Sequence, residues 1–231
     1  YAGGEVDFVD IDPETYLMDL DKLEEKLEGN PPGTYKGIIP VDFAGYPLNM
    51  ERIKNIADKH NLWIIEDACH APGAYFIDSQ EKKQYCGNGK YTDLSIFSFH
   101  PVKHIASGEG GMITTNEKEL YEKLLQLRTH GIVKDDKKYS NSPAFAIGLD
   151  GSEISDPESL HYPNWYMEMQ DLGYNYRLTD FQAALGFSQL KRADDGLRRR
   201  KQLAAEYEKA FEKKEHIKGQ SGVIEGHAYH L

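Results

Sequence analysis

The chain is 231 residues long and carries 38 acidic against 27 basic side chains, a formal net charge of −11. That balance argues against general nucleic-acid binding, because phosphate contacts need clustered Lys and Arg, although a few local donors can still hold a small anion. Two cysteines, Cys69 and Cys86, make no disulfide framework and suit a reducing compartment. No apolar run approaches the roughly 18 residues of a membrane span, so the expectation is a cytoplasmic protein with no membrane partner.

The chain opens on Tyr1-Ala2-Gly3-Gly4, without Met, and runs into a strand-like stretch over residues 5–10. It ends in His227-Ala228-Tyr229-His230-Leu231, which reads as the start of another strand, so the expectation is an internal piece of a longer protein. Leu20, Leu23 and Leu27 predict a helix over 20–27, stopped by Gly29-Asn30-Pro31-Pro32-Gly33. Ile38, Ile39 and Val41 form the apolar centre of a strand over 36–42. Ile53, Ile56 and Ala57 mark a helix from 49 or 50 to about 60, and residues 62–65 form a short apolar strand ending at Glu66-Asp67. Strand, helix, strand in alternation predicts an α/β protein with a mostly parallel sheet.

Residues 75–77 and 84–86 read as a hairpin across Asp78-Ser79-Gln80-Glu81. An apolar run over 94–99 leads into a Pro-containing turn that presents Lys103. The Gly-rich corner 108–111 and a second β-branched run follow, so the lysine is expected between two buried strands. A helix over 117–129 comes next. Periodicity then fails from 132 to 172, and a loop this long in a compact domain is usually functional. Thr179 reads as the N-cap of a helix carrying Phe181, Ala184, Leu185 and Leu190, and a second long helix spans about 197–213. The basic residues Lys191, Arg192 and 198–201 lie on these helices and read as a solvated face.

Three features sit at strand ends or turns: Asp67 with His70, Ser98 with His100, and Lys103. His100 and His104 could suggest a metal site, but a Pro-interrupted turn lacks the helical geometry and no Cys or carboxylate completes the set, so no metal is expected. A carboxylate at one strand end, a lysine about 36 residues later and a hydroxyl five before it fit a pyridoxal phosphate site. The carboxylate would keep the pyridine nitrogen protonated, the hydroxyl would bind phosphate, and the lysine would form the imine and move the proton. Partial burial lowers a lysine's pKa and makes it nucleophilic, as that chemistry requires.

Four motifs carry a resemblance: residues 66–74 (Glu66-Asp67-Ala68-Cys69-His70 onward), 97–103 with 108–111, 127–131, and 172–186. Together they resemble the sugar aminotransferases of the DegT/DnrJ/EryC1/StrS group over essentially the whole chain. The resemblance implies the fold-type I (aspartate aminotransferase-like) three-layer architecture, here truncated at both ends. Residues 1–190 would be the large domain, without its N-terminal part. Residues 191–231 would be connecting helices and the start of the small domain. It implies pyridoxal phosphate, glutamate as amino donor, a keto nucleotide sugar as acceptor and a homodimer with shared sites. Lys103 matches the Schiff-base lysine, Asp67 the partner of the pyridine nitrogen, His70 a contact of the phenolic oxygen and Ser98 a phosphate ligand. Asn175 matches a residue reaching the phosphate of the neighbouring subunit, and Arg177 shares its motif. Residues 97–103 and 164–174 resemble one branch, which aminates C4 of UDP-2-acetamido-2,6-dideoxy-β-L-arabino-hex-4-ulose on the way to pseudaminic acid. Another UDP- or dTDP-keto sugar remains an alternative, as does a non-catalytic sugar-nucleotide sensor on the same fold, against which an intact Lys103 and Asp67 speak. Trp165 and Tyr166 either stack on the sugar or uracil or pin their loop to the body.

Overall fold

In the computed structural model, which describes residues 3–149, 159–220 and 224–231, the chain divides into two units. One comprises Tyr1–Glu117 with Thr179–Leu231, the other Lys118–Leu178. In the first, Asp19 caps helix α1 (Leu20–Glu28) by accepting from the backbone N–H groups of Asp21 and Lys22. Strand β1 (Gly37–Ile38) follows. Asn49 then caps α2 (Met50–His60) in the same manner through Arg52 N–H. Leu23 and Leu27 of α1 and Ile53, Ile56 and Ala57 of α2 form a dry core with Ile38 and Ile64. Burying such a side chain contributes about 1.5–3 kcal/mol each, and this covers one face of the sheet.

The sheet has the order β1, β2 (Trp63–Asp67), β5 (Leu94–Ser98), β6 (Gly111–Thr114). The first three strands are parallel, and β6 returns antiparallel. Strands β3 (Tyr75–Ile77) and β4 (Lys83–Tyr85) form the expected hairpin across residues 78–81.

In the second unit, α3 (Lys118–Arg128) leads to β7 (Ile132–Val133), a short turn at Asp136–Lys138, α4 (Pro143–Ala146) and β8 (Glu168–Met169). The stretch 132–172 is therefore not structureless. The antiparallel pairing of β7 with β8 ties its two ends together, and too few residues pair for alternation to show in the sequence. The loop expected over 148–157 falls, from residue 150 onward, outside the described residues. Back in the first unit, α5 (Asp180–Leu190) starts at a capping box between Thr179 and Gln182, and α6 (Ala193–Phe211) begins four residues earlier than its apolar spacing predicts.

Several expectations are corrected. Residues 5–10 run without a ladder partner among the described residues, with Val6 78% and Phe8 80% exposed, so they form no strand. The strand over 36–42 shrinks to β1 and a single Val41–Asp67 bridge, because Pro40 between them has no N–H for the ladder. Ile38 is buried, whereas Ile39 and Val41 alternate outward. Residues 227–231 form no strand. Instead, Ala228 N–H donates to Gly45 C=O and His230 N–H to Ala44 C=O, bonding one edge of the chain to the 43–45 turn. Strand β6 is exposed rather than buried, with Met112 and Ile113 about half accessible.

Candidate active site

Parallel pairing puts Asp67 of β2 directly opposite Ile96 of β5, so Asp67 and Ser98 end neighbouring strands at the same carboxyl edge. This is where open α/β sheets place their ligands. Asp67 is anchored from both sides: its N–H donates to Pro40 C=O at 2.8 Å and its C=O accepts from Asp42 N–H at 3.0 Å. Its Oδ1 accepts from Cys69 N–H at 3.0 Å. Ser98 Oγ accepts from His100 N–H at 3.3 Å, which leaves the hydroxyl proton to donate elsewhere.

Past Ser98, Lys103 N–H donates to His100 C=O and closes a four-residue turn with Pro101 at its second position, where a fixed φ is favourable. The turn holds Lys103 half-buried, and its ammonium makes no salt bridge among the described residues. Gly108 and Gly110, at φ +88° and +144°, let the chain double back so that Phe99 N–H reaches Gly110 C=O at the start of β6.

His70 lies half-buried beside this turn, and its Nδ1 accepts from Ala44 N–H at 3.3 Å, which assigns the ring proton to Nε2. Burial pushes its pKa down, the positive charge of Lys103 pushes further, and Asp67 opposes both. Asp67 and Lys103 thus both act electrostatically on His70. Cys69 feels the same pair: burial raises its thiol to about 12, Asp67 adds to that, and Lys103 works against it.

Sequence reasoning missed His230, whose ring centroid lies 4.3 Å from that of His70 and 5.2 Å from that of His104. Nothing local in its sequence marks it. The bonds of the 227–231 segment to the 43–45 turn bring it there. Arg200 donates to the carbonyls of Tyr229 and His230, and Lys201 to that of Glu225. Part of the basic cluster therefore clamps this segment, while Arg198 and Arg199 pair with Asp195 and Glu206 on the solvated face. His100 and His104 diverge: His100 lies 4.0 Å from Glu109, and His104 bonds the backbone at Pro72.

Behind the site, Asp42, Glu66 and Cys86 form a second group, all three buried, with a polar atom from each within 4.8 Å of the others.

The remaining candidates lie in the unit Lys118–Leu178. Asn175 bridges Thr129, and both Asn175 and Arg177 are exposed, with Arg177 N–H donating to Asn175 Oδ1 at 3.5 Å. Tyr166 packs edge-on against Tyr139 and face-on with Tyr162, and its hydroxyl donates to Glu168 at 3.0 Å. Glu168 is buried, which alone would raise its pKa, but N–H groups of Ser140, Asn141 and Gln170 and the Tyr166 hydroxyl bring it down to about 2. Tyr166 is thus committed to holding this unit together. Trp165 beside it is 68% exposed.

A mostly parallel α/β sheet covered by helices is the fold-type I architecture that the sequence motifs imply, and a carboxylate, a hydroxyl and a lysine lie at or just past its carboxyl edge. The whole chain, residues 1–231, matches the model of the DegT/DnrJ/EryC1/StrS aminotransferase family. A UDP-4-amino-4,6-dideoxy-N-acetyl-β-L-altrosamine transaminase of Campylobacter jejuni is 40% identical over 213 residues, covering 92% of this chain and 47% of that protein. The spore coat polysaccharide biosynthesis protein SpsC of Bacillus subtilis is 36% identical over 213 residues, with the same coverage of 92% and 47%. Among solved structures, Helicobacter pylori PseC, an aminotransferase involved in the biosynthesis of pseudoaminic acid, superposes with a TM-score of 0.70 at 28% identity. That match covers 97% of this chain and 50% of PseC. The chain belongs to the DegT/DnrJ/EryC1/StrS aminotransferase family, and it spans about half the length of the relatives it matches.

Proposed function

We propose that the protein containing this chain is a cytoplasmic, pyridoxal-phosphate-dependent aminotransferase that moves an amino group from glutamate to a 4-keto nucleotide sugar. In this reading residues 1–190 belong to the cofactor-binding large domain and residues 191–231 lead toward the small one. The observation that carries it is the β2–β5 register, which sets Asp67 and Ser98 at one edge with Lys103 on the next turn. The donor set suits the cofactor: an anion for a pyridinium, a hydroxyl proton for a phosphate, an Nε2–H on His70 for a phenolic oxygen, and an amine without a salt-bridge partner among the described residues.

Bound there, pyridoxal phosphate supplies an electrophilic aldehyde and an electron sink. Asp67 would hold the proton on the pyridine nitrogen, Ser98 and His70 would orient the group, and the Lys103 amine would hold its aldehyde carbon with loss of water. Once the amine of the donor substrate displaces it, the freed Lys103 amine would carry the proton between substrate carbon and cofactor carbon as general base and acid. In a homodimer, Asn175 reaches the phosphate site of the neighbouring subunit. Exposed Trp165, with Arg177, is offered to the nucleotide sugar. The names of the relatives favour UDP-2-acetamido-2,6-dideoxy-β-L-arabino-hex-4-ulose as acceptor.

Borohydride reduction of the full-length protein should fix the cofactor's mass on Lys103, and Lys103→Ala should lose both that adduct and turnover. Normal turnover in that variant would sink the proposal. A panel of UDP- and dTDP-4-keto sugars identifies the acceptor.

A further inference from the structure

Asp42 and Glu66 are two carboxyl groups that the reaction above does not use. Alternation along β2 turns Asp67 toward the site and Glu66 to the opposite, buried side. Asp42, one residue beyond the Val41–Asp67 bridge, joins Glu66 there. Asp42 is 0% and Glu66 2% exposed. Two carboxyl groups this close and this dry cannot both remain ionised.

The hydrogen bonds decide which one keeps the proton. Glu66 Oε2 accepts from Ser95 Oγ–H at 2.6 Å, and both Glu66 oxygens accept from Gly87 N–H at 3.0 Å. These donors call for a carboxylate. Asp42 Oδ1 accepts from Leu48 N–H at 2.9 Å, while Oδ2 is buried and finds no N–H or O–H donor. A proton on Oδ2 makes that atom a donor toward Glu66 and resolves its lack of a partner. Burial, then the charge of Glu66, pushes Asp42 well above the usual carboxyl range. Cys86, the third titratable group facing the pair, is held as a thiol by its own burial.

We propose that Asp42 is a carboxylic acid in the folded protein at neutral pH, donating from Oδ2 to Glu66, and that this pair positions Asp67. Asp42 N–H bonds Asp67 C=O directly, and Glu66 is its neighbour in the chain. The positioning role rests on the cofactor reading of Asp67. The protonation state does not.

Infrared difference spectroscopy on the full-length holoenzyme at neutral pH tests the protonation state, and a pH titration of the cofactor's absorbance tests the positioning. The expected result is a protonated-carboxyl stretch that shifts in D2O, disappears in Asp42→Asn and persists in Asp67→Asn. Asn at position 42 keeps the acceptor for Leu48 N–H and supplies a permanent donor to Glu66, so its unfolding midpoint should stay near that of the parent. Gln at position 66 must turn an N–H toward the donors on Ser95 or Gly87, raising the unfolding equilibrium constant at least about tenfold. In Glu66→Gln the pH midpoint of the cofactor's absorbance should also move, which a merely structural role would not cause. A stretch that is absent, or that survives Asp42→Asn, overturns the assignment, and so does a stoichiometric divalent metal lost on that substitution. Greater tolerance of Glu66→Gln than of Asp42→Asn would move the proton to Glu66 and also overturn it. An unmoved cofactor midpoint overturns the positioning role. A protein that binds no cofactor fails the proposed function but leaves the infrared result intact.

Discussion

The imidazole of His230 lies against that of His70, with ring centroids 4.3 Å apart and planes inclined by 33°, so the end of the chain helps bury a histidine beside the Lys103 turn. Burial is the largest influence lowering the pKa of His70. Replacing His230 with Ala opens that face to water and should raise the pKa toward the ordinary value. An NMR titration of the His70 ring, assigned through His70→Gln, reads the change. An unmoved midpoint would show that the contact does not shape the site.

A second prediction concerns acid stability. Burial first, with nearby Arg200 for His104 and Lys201 for His227, holds both rings at about 4, and His230 is held at about 4 by burial and then His70. An unfolded histidine titrates near about 6.5. Between those values the unfolded chain binds more protons, so the stabilisation is complete above about 6.5 and is lost as pH falls toward 4. The melting temperature should therefore decline across that window. His104→Gln should make the decline shallower, and an identical slope would count against this account.

The two cysteines should be chemically quiet. Burial lifts the Cys69 thiol to about 12, helped by Asp67, and burial lifts Cys86 well above its usual range. The thiolate is the reactive form, so alkylation by iodoacetamide at pH 8 should leave both unmodified in the folded protein and label both in denaturant. Mass spectrometry counts the adducts, and rapid native labelling would contradict the geometry.

Gly131 sits at φ +67°, and a Cβ there would fall 1.9 Å from the carbonyl oxygen of Asp171. The same turn accepts Gln170 N–H at 3.0 Å. Gly131→Ala should cost at least about 1 kcal/mol, since neither the backbone conformation nor the space admits a methyl group. Hydrogen exchange should show the loss of protection at residues 126–133 and 168–174. Unchanged protection there would refute the packing described.

Much of the fold is legible in the sequence because its signals are local. The Leu20, Leu23, Leu27 spacing, the Ile53, Ile56, Ala57 stripe, the Thr179 cap and the β3–β4 turn each act within one or two turns of chain, and each element forms where its pattern predicts. The weak points lie where a partner is required. Residues 5–10 look like a strand yet pair with none among the described residues, and β7 with β8 pair across 35 residues through two-residue strands that no pattern announces.

The site divides the same way. By itself, the sequence determined that Asp67, Ser98 and Lys103 lie at strand ends and turns, because residue type and turn propensity are local properties. Only the tertiary structure decided what becomes of the adjacent carboxyl groups Glu66 and Asp67. The pleat turns one into a dry pocket with Asp42 and leaves the other at the sheet edge opposite Ile96. It also brought His230 to His70 across 159 intervening positions, a contact made by backbone bonds to the 43–45 turn rather than by any motif. Register and long-range contact depend on the strands and segments that pack together, and that information is not held in any single stretch of chain.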